Sequence, residues 1–500
     1  MNLMMLLEMA QAGDPERMAV CVAGQRGLTV AELAARASSA AADLRRRGVD
    51  GVVYIGTNAL AFPVVVFAAA SAGVPLIPLN YRLGAEQLSG LLERHASALV
   101  IADGAVAGLS GQSHQSVEMQ EWLASTDPAA AAMDWPDDPD AVATLLYTSG
   151  TTAAPKAAIL RHRHLMAYVL GSVDFASAAA SDSALVAVPP YHVAGVANLV
   201  TNLYAGRRIV YLDSFTPQHW LEVARWERVT HAMVVPTMLT RIVGALDGAV
   251  SAQVPTLRAL SYGGSRIPPS VVARAIDLFP GTDFVNAYGL TETSSTIAVL
   301  SPDDHRSAAA SGDPAVTCRL GSVGRLIPGI EAEIRDQAGN LVPCEVPGEL
   351  WLRGAQISGE YLGAPSSIDE SGWFPTRDRA HFDREGYLYI EGRADDTIIR
   401  GGENTSPAEI EDVLIQHPAV ADVAVVGVAD DEWGQRIAAV VVPGHGATLN
   451  LEDLRTFARA RLRSSRTPDQ IEVWPSLPYT DSGKLLRRAV QTELEKQSAS

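Results

Sequence analysis

Short apolar segments alternate with segments of helical length through the first 300 residues of this chain. Residues 52–55, 98–101, 184–188, 209–212 and 231–235 are strand-like, and amphipathic or small-residue helices are expected between them. A strand, a helix and a second strand in succession favour parallel pairing, with helices covering the sheet. The pattern predicts an α/β fold, whose ligands would bind at the carboxyl ends of the strands.

The chain has 500 residues, which is more than a single hydrophobic core usually accommodates. Its 47% hydrophobic and 19% charged residues are typical of a globular protein. From about residue 321 the sequence becomes β-rich, with frequent glycines. Beyond 393–396 the pattern of predicted helices and strands changes again. We therefore expect a large N-terminal domain, residues 1–394, of stacked helix-covered sheets with a small β-rich subdomain. A small α+β C-terminal domain, residues 395–500, would follow it.

Charge and cysteine content exclude several classes of protein. The formal net charge of −18 argues against non-specific binding to nucleic acid or anionic membrane. Any anion site must therefore build its own positive field. Three scattered cysteines, Cys21, Cys318 and Cys344, are too few for a disulfide framework or a zinc site. These features predict a cytoplasmic protein that binds no nucleic acid.

Two segments bear on membrane targeting. The first eight residues have neither a basic leader nor a sustained apolar core, so no signal peptide is expected. Residues 59–79 carry no charge over about the length of a membrane span, but three prolines interrupt them. We predict a helix over 64–72 and a strand over 74–79 here, not an integral membrane span.

The most informative loop follows the apolar run 141–146. Residues 147–156 read Tyr-Thr-Ser-Gly-Thr-Thr-Ala-Ala-Pro-Lys. Such a loop presents backbone N–H groups, hydroxyls and one cation together, as a polyphosphate requires. It is not a Walker loop, because Gly-x4-Gly-Lys-Ser/Thr is absent. The alternative is an ordinary Ser/Thr-rich turn, since turns favour the same residues.

This loop resembles the signature loop of the adenylate-forming superfamily, which contains acyl-CoA synthetases, aryl-CoA ligases, peptide-synthetase adenylation domains and beetle luciferase. Further matching segments follow in the family's order. They are Tyr-Gly-Gly-Ser at 262–265, Asn-Ala-Tyr-Gly-Leu-Thr-Glu-Thr at 286–293, Gly-Trp-Phe-Pro-Thr-Arg-Asp at 372–378, Gly-Arg-Ala-Asp-Asp at 392–396, Gly-Gly-Glu-Asn at 401–404 with Glu-Ile-Glu at 409–411, and Ser-Gly-Lys at 482–484. Together they span nearly the whole chain, and the chain is most similar to the acyl-CoA ligases.

The resemblance implies a reaction in two halves. A carboxylate attacks the α-phosphorus of ATP, which gives acyl-AMP and pyrophosphate, and the thiol of coenzyme A then displaces AMP. Because the carboxylate is already ionised near neutral pH, catalysis would consist mainly of positioning and charge neutralisation. ATP, Mg²⁺ and coenzyme A are the implied cofactors.

The resemblance also implies a role for each matched residue. Thr148, Ser149, Gly150, Thr151, Thr152 and Lys156 would bind the phosphates. Gly263, Gly264, Ser265, Asn286, Ala287 and Tyr288 would surround the base, while Asp378 and Arg393 would bind the ribose. Thr291, Glu292 and Lys484 would be catalytic, with Glu292 as the Mg²⁺ ligand and Lys484 bridging the substrate carboxylate and the α-phosphate. The alternatives are a helix-start carboxylate for Glu292, a turn aspartate for Asp378 and, for Lys484, an ordinary surface lysine at the start of a final helix that we expect over residues 484–496.

The C-terminal domain is mobile in the family, and Asp395 matches the hinge about which it rotates between the two half-reactions. Gly401 and Gly402 would then line the tunnel for the pantetheine thiol. Residues 406–409, Ser-Pro-Ala-Glu, independently predict a capping box at the start of a helix, with Pro407 at its first position.

The acyl pocket is expected around His192 and residues 233–237, of which Met233, Val235 and Pro236 would form the wall. Such a lining suits an apolar fatty or aryl acid. A structural role for His192 and ordinary strand core for the others are the alternatives. Peptide-synthetase domains hold an α-amino group with the aspartate of a Phe-Asp-x-Ser-like segment. Residues 204–213 and 229–237 contain nothing similar, so an α-amino acid is disfavoured. Neither the individual acid nor the oligomeric state can be read from the sequence.

Three parts of the chain depart from the family pattern. Ala153 and Ala157 replace glycines of the phosphate loop, Arg377 replaces the glycine before the ribose aspartate, and Thr405 and Ser406 replace a more usual apolar–aromatic pair. The matched charged residues all remain, so ATP use is still expected. The departures keep open an acceptor other than coenzyme A, such as a carrier protein, an amine or an unusual nucleophile. A non-catalytic nucleotide- or acyl-binding relative is the other alternative.

Overall fold

The computed structural model describes residues 1–104, 115–132, 134–148, 155–400, 403–430, 433–444, 449–480 and 484–498. The helices are α1 Met4–Gly13, α2 Val30–Arg47, α3 Ala61–Ala72, α4 Ala85–Leu92, α5 Met119–Ser125, α6 His162–Ser172, α7 Val193–Ala205, α8 Pro217–Trp226, α9 Pro236–Ala245, α10 Pro269–Leu278, α11 Pro302–Ala310, α12 Pro314–Thr317, α13 Pro407–Leu414, α14 Leu451–Arg459 and α15 Arg487–Ser498. The strands are β1 Met18–Val22, β2 Leu28–Thr29, β3 Val52–Ile55, β4 Leu76–Pro78, β5 Leu99–Ala102, β6 Gln115–Glu118, β7 Val142–Thr148, β8 Lys156–Arg161, β9 Ser183–Val186, β10 Arg208–Tyr211, β11 His231–Val234, β12 Ala259–Gly263, β13 Asp283–Leu290, β14 Ser295–Leu300, β15 Arg325–Leu326, β16 Glu331–Arg335, β17 Gly348–Arg353, β18 Phe374–Phe382, β19 Leu388–Arg393, β20 Ile398–Arg400, β21 Glu403–Thr405, β22 Val420–Asp430, β23 Gly434–Pro443 and β24 Gln470–Val473.

Two large sheets form the body of the N-terminal part. Within the described residues, one sheet has the order β6-β5-β3-β4-β7-β8, and it is parallel except for its edge strand β8. The other has the order β15-β14-β13-β12-β11-β9-β10-β1-β2, with a parallel centre from β13 to β1. One apolar core contains side chains from both sheets and from α1, α2 and α3. The predicted α/β fold with helix-covered parallel sheets is confirmed.

Local signals in the sequence set several element boundaries. Thr29 is the N-cap of α2 and forms a reciprocal capping box with Glu32, since each side chain bonds the other residue's backbone N–H. The uncharged segment 59–79 forms helix α3 and strand β4, as predicted. Phe62 and Phe67 of α3 are fully buried, which explains why this helix carries no charge. No helix in the described ranges is long and apolar enough to cross a membrane.

The β-rich region forms an antiparallel sheet in the order β16-β17-β18-β19. Its apolar core, which includes Leu350, Phe374 and Leu388, also takes in Ile297 of β14. This shared core fixes β18 and β19 relative to β13 and β14. The predicted β-rich subdomain is therefore confirmed, and the two strand pairs it brings together carry several of the candidate site residues.

The C-terminal region is an α+β unit around the hairpin β22–β23, with β24 parallel to β23. Ile410 of α13 and Leu454 of α14 belong to one of its apolar cores, and Val490 and Leu494 of α15 belong to the other. The unit also touches the large domain, because Arg266 forms an ion pair with Asp412. The expected small α+β C-terminal domain is confirmed.

Two expectations about this unit are wrong. Ser406 is the N-cap of α13 and Pro407 is its first residue, but Ser406 makes no side-chain capping bond. Its hydroxyl instead donates to the carbonyl of Glu391 in β19, at 2.8 Å, so an interdomain bond replaces the capping box. The final helix begins at Arg487, so Lys484 does not start it. The Thr480 N–H donates to the Lys484 carbonyl at 2.8 Å, and the Lys484 N–H donates to the Thr480 hydroxyl oxygen at 2.9 Å.

Candidate active site

The end of strand β12 is shaped by two glycines. A Cβ on Gly263 would lie 2.0 Å from the carbonyl oxygen of Ala287 on the paired strand β13, which no side chain allows. Gly264 has φ +96°, a conformation that other residues rarely adopt. The hydroxyl oxygen of the next residue, Ser265, is buried and has no hydrogen-bond partner among the described residues. This strand end therefore offers close backbone approach and an unused polar group to a ligand.

Tyr288, Asp378 and Arg393 form one bonded group beside this strand end. β13 continues to Leu290, so Tyr288 lies within the strand. Its hydroxyl donates to Oδ2 of Asp378 at 2.5 Å, and Arg393 Nη1 donates to Oδ1 at 2.9 Å. Burial raises the pKa of Tyr288 well above its ordinary value, and the Asp378 charge adds to that shift. Each carboxylate oxygen of Asp378 keeps one further lone pair for an outside donor.

A bulge in β18 presents Asp378 to this group. Leu350 alone on β17 lies opposite the three residues 376–378, because the register shifts between Glu349↔Arg379 and Trp351↔Pro375. The Thr376 hydroxyl bridges the bulge, since it donates to the Leu350 carbonyl at 2.7 Å and accepts the Asp378 N–H at 3.0 Å. Arg377, at the centre of the bulge, has φ +60° and is exposed.

Glu292 lies in a 3-10 turn, Thr291–Thr293, that joins β13 to β14. Tyr361 Oη donates to Glu292 Oε1 at 2.5 Å, and the ring of Tyr361 lies 5.7 Å from Lys156 Nζ. Burial raises the pKa of Tyr361, the Glu292 charge raises it further, and the guanidinium groups of Arg377 and Arg393 oppose the shift. Glu292, Tyr361 and Lys156 are thus brought together at one place.

Tyr361 was absent from the sequence-based set of site residues. Its segment runs beside β8, where the Ile159 N–H donates to the Glu360 carbonyl and the Leu362 N–H to the Ala157 carbonyl, both at 2.9 Å. Tyr361 and Glu292 are 69 residues apart. The Gly-Glu-Tyr-Leu stretch at 359–362 indicates only a turn, so no local signal pointed to this contact.

Lys484 belongs electrostatically to the same site although it lies in the C-terminal unit. The residue as a whole is exposed. Desolvation of its ammonium group nevertheless lowers its pKa, and the charge of Arg393 lowers it further. The carboxylates of Asp378, Asp396 and Glu292 act in the opposite direction. The C-terminal unit therefore brings a cation to the Asp378 and Glu292 groups of the large domain.

Two family models cover most of the chain. Residues 7–362 match the AMP-binding enzyme model, and residues 409–484 match the model of the AMP-binding enzyme C-terminal domain. The chain belongs to the AMP-binding enzyme family. The resemblance to the adenylate-forming superfamily is thereby confirmed, and the positions of Lys484 and Arg393 agree with the two-domain organisation of this family.

Several relatives match this family member along almost their whole length. It is 35% identical over 484 residues to a feruloyl-CoA synthase of Amycolatopsis sp, which covers 94% of each chain. It is 32% identical over 502 residues to the fatty acid–[acyl-carrier-protein] ligase ScoC of Streptomyces coeruleorubidus, covering 96% of this chain and 93% of that one. The o-succinylbenzoate CoA synthetase MenE of Bacillus subtilis, in complex with the acyl-adenylate intermediate OSB-AMP, superimposes with a TM-score of 0.85 at 27% identity and covers 97% of each chain.

The predicted acyl-wall residues of this AMP-binding enzyme lie at the start of α7, in β11 and at the start of α9. His192 precedes α7 as its N-cap, and its ring is 4.5 Å from that of Tyr191. The Asn198 amide of α7 is 3.0 Å from the sulfur of Met233 in β11. Val235 caps α9 and Pro236 is its first residue. Asn198 is a further candidate wall residue that sequence analysis missed.

Some predicted residues of this family member cannot be placed. Ser149, Gly150, Thr151 and Thr152 of the phosphate loop lie outside the described residues, and so do Ala153, Gly401 and Gly402. The base of the loop is described, because the Thr148 hydroxyl donates to the Lys156 carbonyl at 3.3 Å. Asn286 donates to the Ser322 carbonyl at 3.0 Å, so its side chain holds the chain after α12 in place.

Glu292 is suited to a magnesium ion that is held jointly with substrate phosphates. Within the described ranges, no group of three or more His, Cys, Asp or Glu residues could hold a metal alone. Mg²⁺ commonly keeps several waters and uses one or two carboxylates plus phosphate oxygens. The Glu292 carboxylate accepts from Tyr361 through Oε1, which leaves Oε2 for such a cation.

Proposed function

We propose that this chain is an ATP-dependent carboxylate–CoA ligase that forms acyl-AMP and then acyl-CoA from an apolar fatty or aryl carboxylic acid. The observation that carries the proposal is that Lys484 of the C-terminal unit shares one electrostatic environment with Glu292, Asp378 and Arg393 of the large domain. An acid and ATP repel each other as anions, and this arrangement supplies fixed cations where they must meet.

Each group of the site has a task in this proposal. Asp378 would accept hydrogen bonds from the ribose hydroxyls, since Tyr288 and Arg393 orient its carboxylate. Gly263 and Gly264 would allow the base to approach the backbone. Glu292 and Tyr361 would hold Mg²⁺ near the phosphates, where the ion would neutralise developing charge. Lys484 would bind the substrate carboxylate and the α-phosphate together.

The second half-reaction would use another position of the C-terminal unit. We place the boundary between residues 1–394 and 395–500, with Asp395 as the hinge in the short turn Ala394–Asp396. Few contacts in the described residues cross this boundary through side chains, and two of them are the Ser406–Glu391 bond and the Arg266–Asp412 pair. Rotation about a short turn requires such contacts to break and re-form at modest cost.

Lysine usage also supports these assignments. The chain has 39 lysine and arginine residues, of which only Lys156, Lys484 and Lys496 are lysines. Two of these three lie in the candidate site.

We further propose a cytoplasmic location, because all three cysteines are free in the structure, as a reducing compartment favours.

The proposal is tested by pyrophosphate release with ATP and Mg²⁺ across fatty, hydroxycinnamic-type and arylacetic acids, with and without coenzyme A. We expect release with a particular acid, together with its CoA thioester. Lys484→Ala should lower the rate of release at least 100-fold, as about 3 kcal/mol of lost charge stabilisation would do. The matched control is Lys496→Ala, which removes an exposed lysine of α15.

A carrier-protein acceptor is the second candidate, and the 32% identity to the carrier-protein ligase ScoC favours it. In that case pyrophosphate release would not respond to coenzyme A, and acyl transfer would occur to a phosphopantetheinylated carrier protein. Absence of release with every acid, combined with no binding of ATP, would refute both candidates.

A further inference from the structure

Arg377 stands out among the cations of the site because of its backbone. Its φ of +60° lies in the left-handed region, where a residue with a Cβ is strained and glycine is favoured. Glycine is the residue of the family pattern at this position. The bulge in β18 requires the conformation, because one residue of β17 faces three residues of β18. The chain thus keeps an arginine where its fold favours glycine.

Arg377 differs from its two neighbours in burial and in bonding. The neighbours Thr376 and Asp378 are buried and bonded, whereas Arg377 is exposed. No hydrogen bond or ion pair joins its guanidinium to the described part of the chain. The nearby Arg393, by contrast, is paired with Asp378. Backbone strain is often found at ligand-binding positions, and here it places an exposed cation beside the candidate site.

The neighbours of Arg377 indicate which part of a nucleotide it faces. Its charge acts on the hydroxyl of Tyr361, which bonds Glu292 and whose ring lies beside Lys156. Lys156 closes the loop that the sequence assigns to the phosphates. Asp378, next in the chain, is bonded to Tyr288 and Arg393. Arg377 shares none of these bonds in the described residues, so its charge is left for the part of the site around Tyr361 and Lys156.

We infer that Arg377 binds the β- and γ-phosphates of ATP, and the pyrophosphate formed from them, as a fifth element of the site beside Lys156, Glu292, Tyr361 and Lys484. A guanidinium donates two parallel hydrogen bonds to a phosphate. Such a contact adds to the positive field that a chain with net charge −18 must build locally for an anion. The strain of the left-handed backbone is the cost of placing this group. The inference deepens the proposed function and rests on it for the identity of the nucleotide.

The test compares binding of ATP and of AMP by calorimetry, in the presence of Mg²⁺ and without any acid. In Arg377→Gly and Arg377→Gln we expect the Kd of ATP to rise about tenfold, equal to about 1.4 kcal/mol, and the inhibition constant of pyrophosphate to rise similarly. The Kd of AMP should change less than about twofold, because AMP has neither phosphate. Arg377→Lys keeps the charge and should restore part of the ATP affinity.

Backbone strain gives a second readout. Arg377→Gly should raise the melting temperature by about 1–2 °C because it removes the left-handed strain, whereas Arg377→Gln keeps the strain and should not. Arg228 is a matched control, since it is an exposed arginine with φ +50° far from the site residues. Arg228→Gly should raise the melting temperature in the same way and leave the Kd of ATP unchanged.

Three results would overturn the inference. An equal loss of ATP and AMP affinity would mean that Arg377 acts through Asp378 and the ribose. An effect confined to the KM of coenzyme A would mean that Arg377 binds the acceptor. Unchanged ATP affinity in both variants would mean that Arg377 binds no ligand. A wild-type protein that binds ATP but forms no thioester contradicts the proposed function alone, so the two failures are distinguishable.

Discussion

Replacing Asp378 by asparagine tests the centre of the nucleotide site, because its carboxylate is bonded on both oxygens. An asparagine side chain presents one acceptor oxygen and one amide donor, so either Tyr288 or Arg393 loses its acceptor. Only 6% of the Asp378 side chain is exposed, but Arg393 is 32% exposed. Breaking a fully buried pair costs about 3–5 kcal/mol and an exposed pair about 0–1 kcal/mol. We therefore expect Asp378→Asn to lower the free energy of unfolding of the large domain by about 2 kcal/mol.

The variant should also lose nucleotide affinity. Hydrogen bonds to a charged acceptor contribute about 1.5–3 kcal/mol, so the Kd of AMP should rise about 10- to 100-fold. Asp182→Asn is the control, because Asp182 is 7% exposed and paired with Arg258 at a distance from the site. It should lose comparable stability in urea unfolding and keep the AMP affinity measured by calorimetry. Wild-type AMP affinity in Asp378→Asn would refute the ribose assignment, and an equal loss in Asp182→Asn would attribute the effect to general destabilisation.

Three further predictions concern the charge, the metal and the domain interface. Since desolvation lowers the pKa of Lys484, its ammonium is lost as pH rises through a value below 10.5, so the rate of pyrophosphate release should fall there. The unfolded chain binds that proton more tightly, so the contribution of Lys484 to stability should rise with pH across the same window. Lys484→Arg should move the alkaline limb of the rate upward, and an unmoved limb would assign it to another group. Glu292→Gln should raise the Mg²⁺ concentration for half-maximal rate about tenfold, whereas an unaltered Mg²⁺ titration would contradict the ligand assignment. Ser406→Ala removes the 2.8 Å bond to Glu391, about 1 kcal/mol, and should slow pyrophosphate release about fivefold. Thioester formation from supplied acyl-adenylate should not change, and an equal fall in both half-reactions would contradict an interface role.

Local patterns in the sequence were sufficient for most of the fold. The capping box of Thr29 and Glu32 and the buried helix α3 depend on residues only a few positions apart, so periodicity and capping rules located them. Family resemblance supplied the candidate site residues one by one. Neither source indicated how those residues contact one another, because Tyr288 and Asp378 are 90 residues apart.

The two wrong expectations have different causes. Ser406 has the sequence context of a capping box, but the Glu391 carbonyl of the large domain accepts its hydroxyl, so a tertiary contact outweighs the local rule. Lys484 was expected at a helix start, but the helix begins three residues later and Lys484 bonds to the nearby Thr480 instead. The Ser406 contact depends on the position of the small domain that brings Lys484 to the site. The sequence alone does not specify that position.

Lysine at position 484 suits the rotation of the small domain that we propose. In a chain with three lysines among 39 basic residues, arginine is the default cation. A guanidinium beside Asp378, Asp396 and Glu292 would form forked, bidentate pairs with these carboxylates and would hold the small domain in one position. An ammonium is a compact charge on a flexible stem, so it can stabilise phosphate and carboxylate in one half-reaction and leave for the other. Its partial desolvation, which lowers the pKa, also strengthens its interaction with a bound anion. Arg377 has no such need, because it lies on a strand of the large domain and stays in place through both steps.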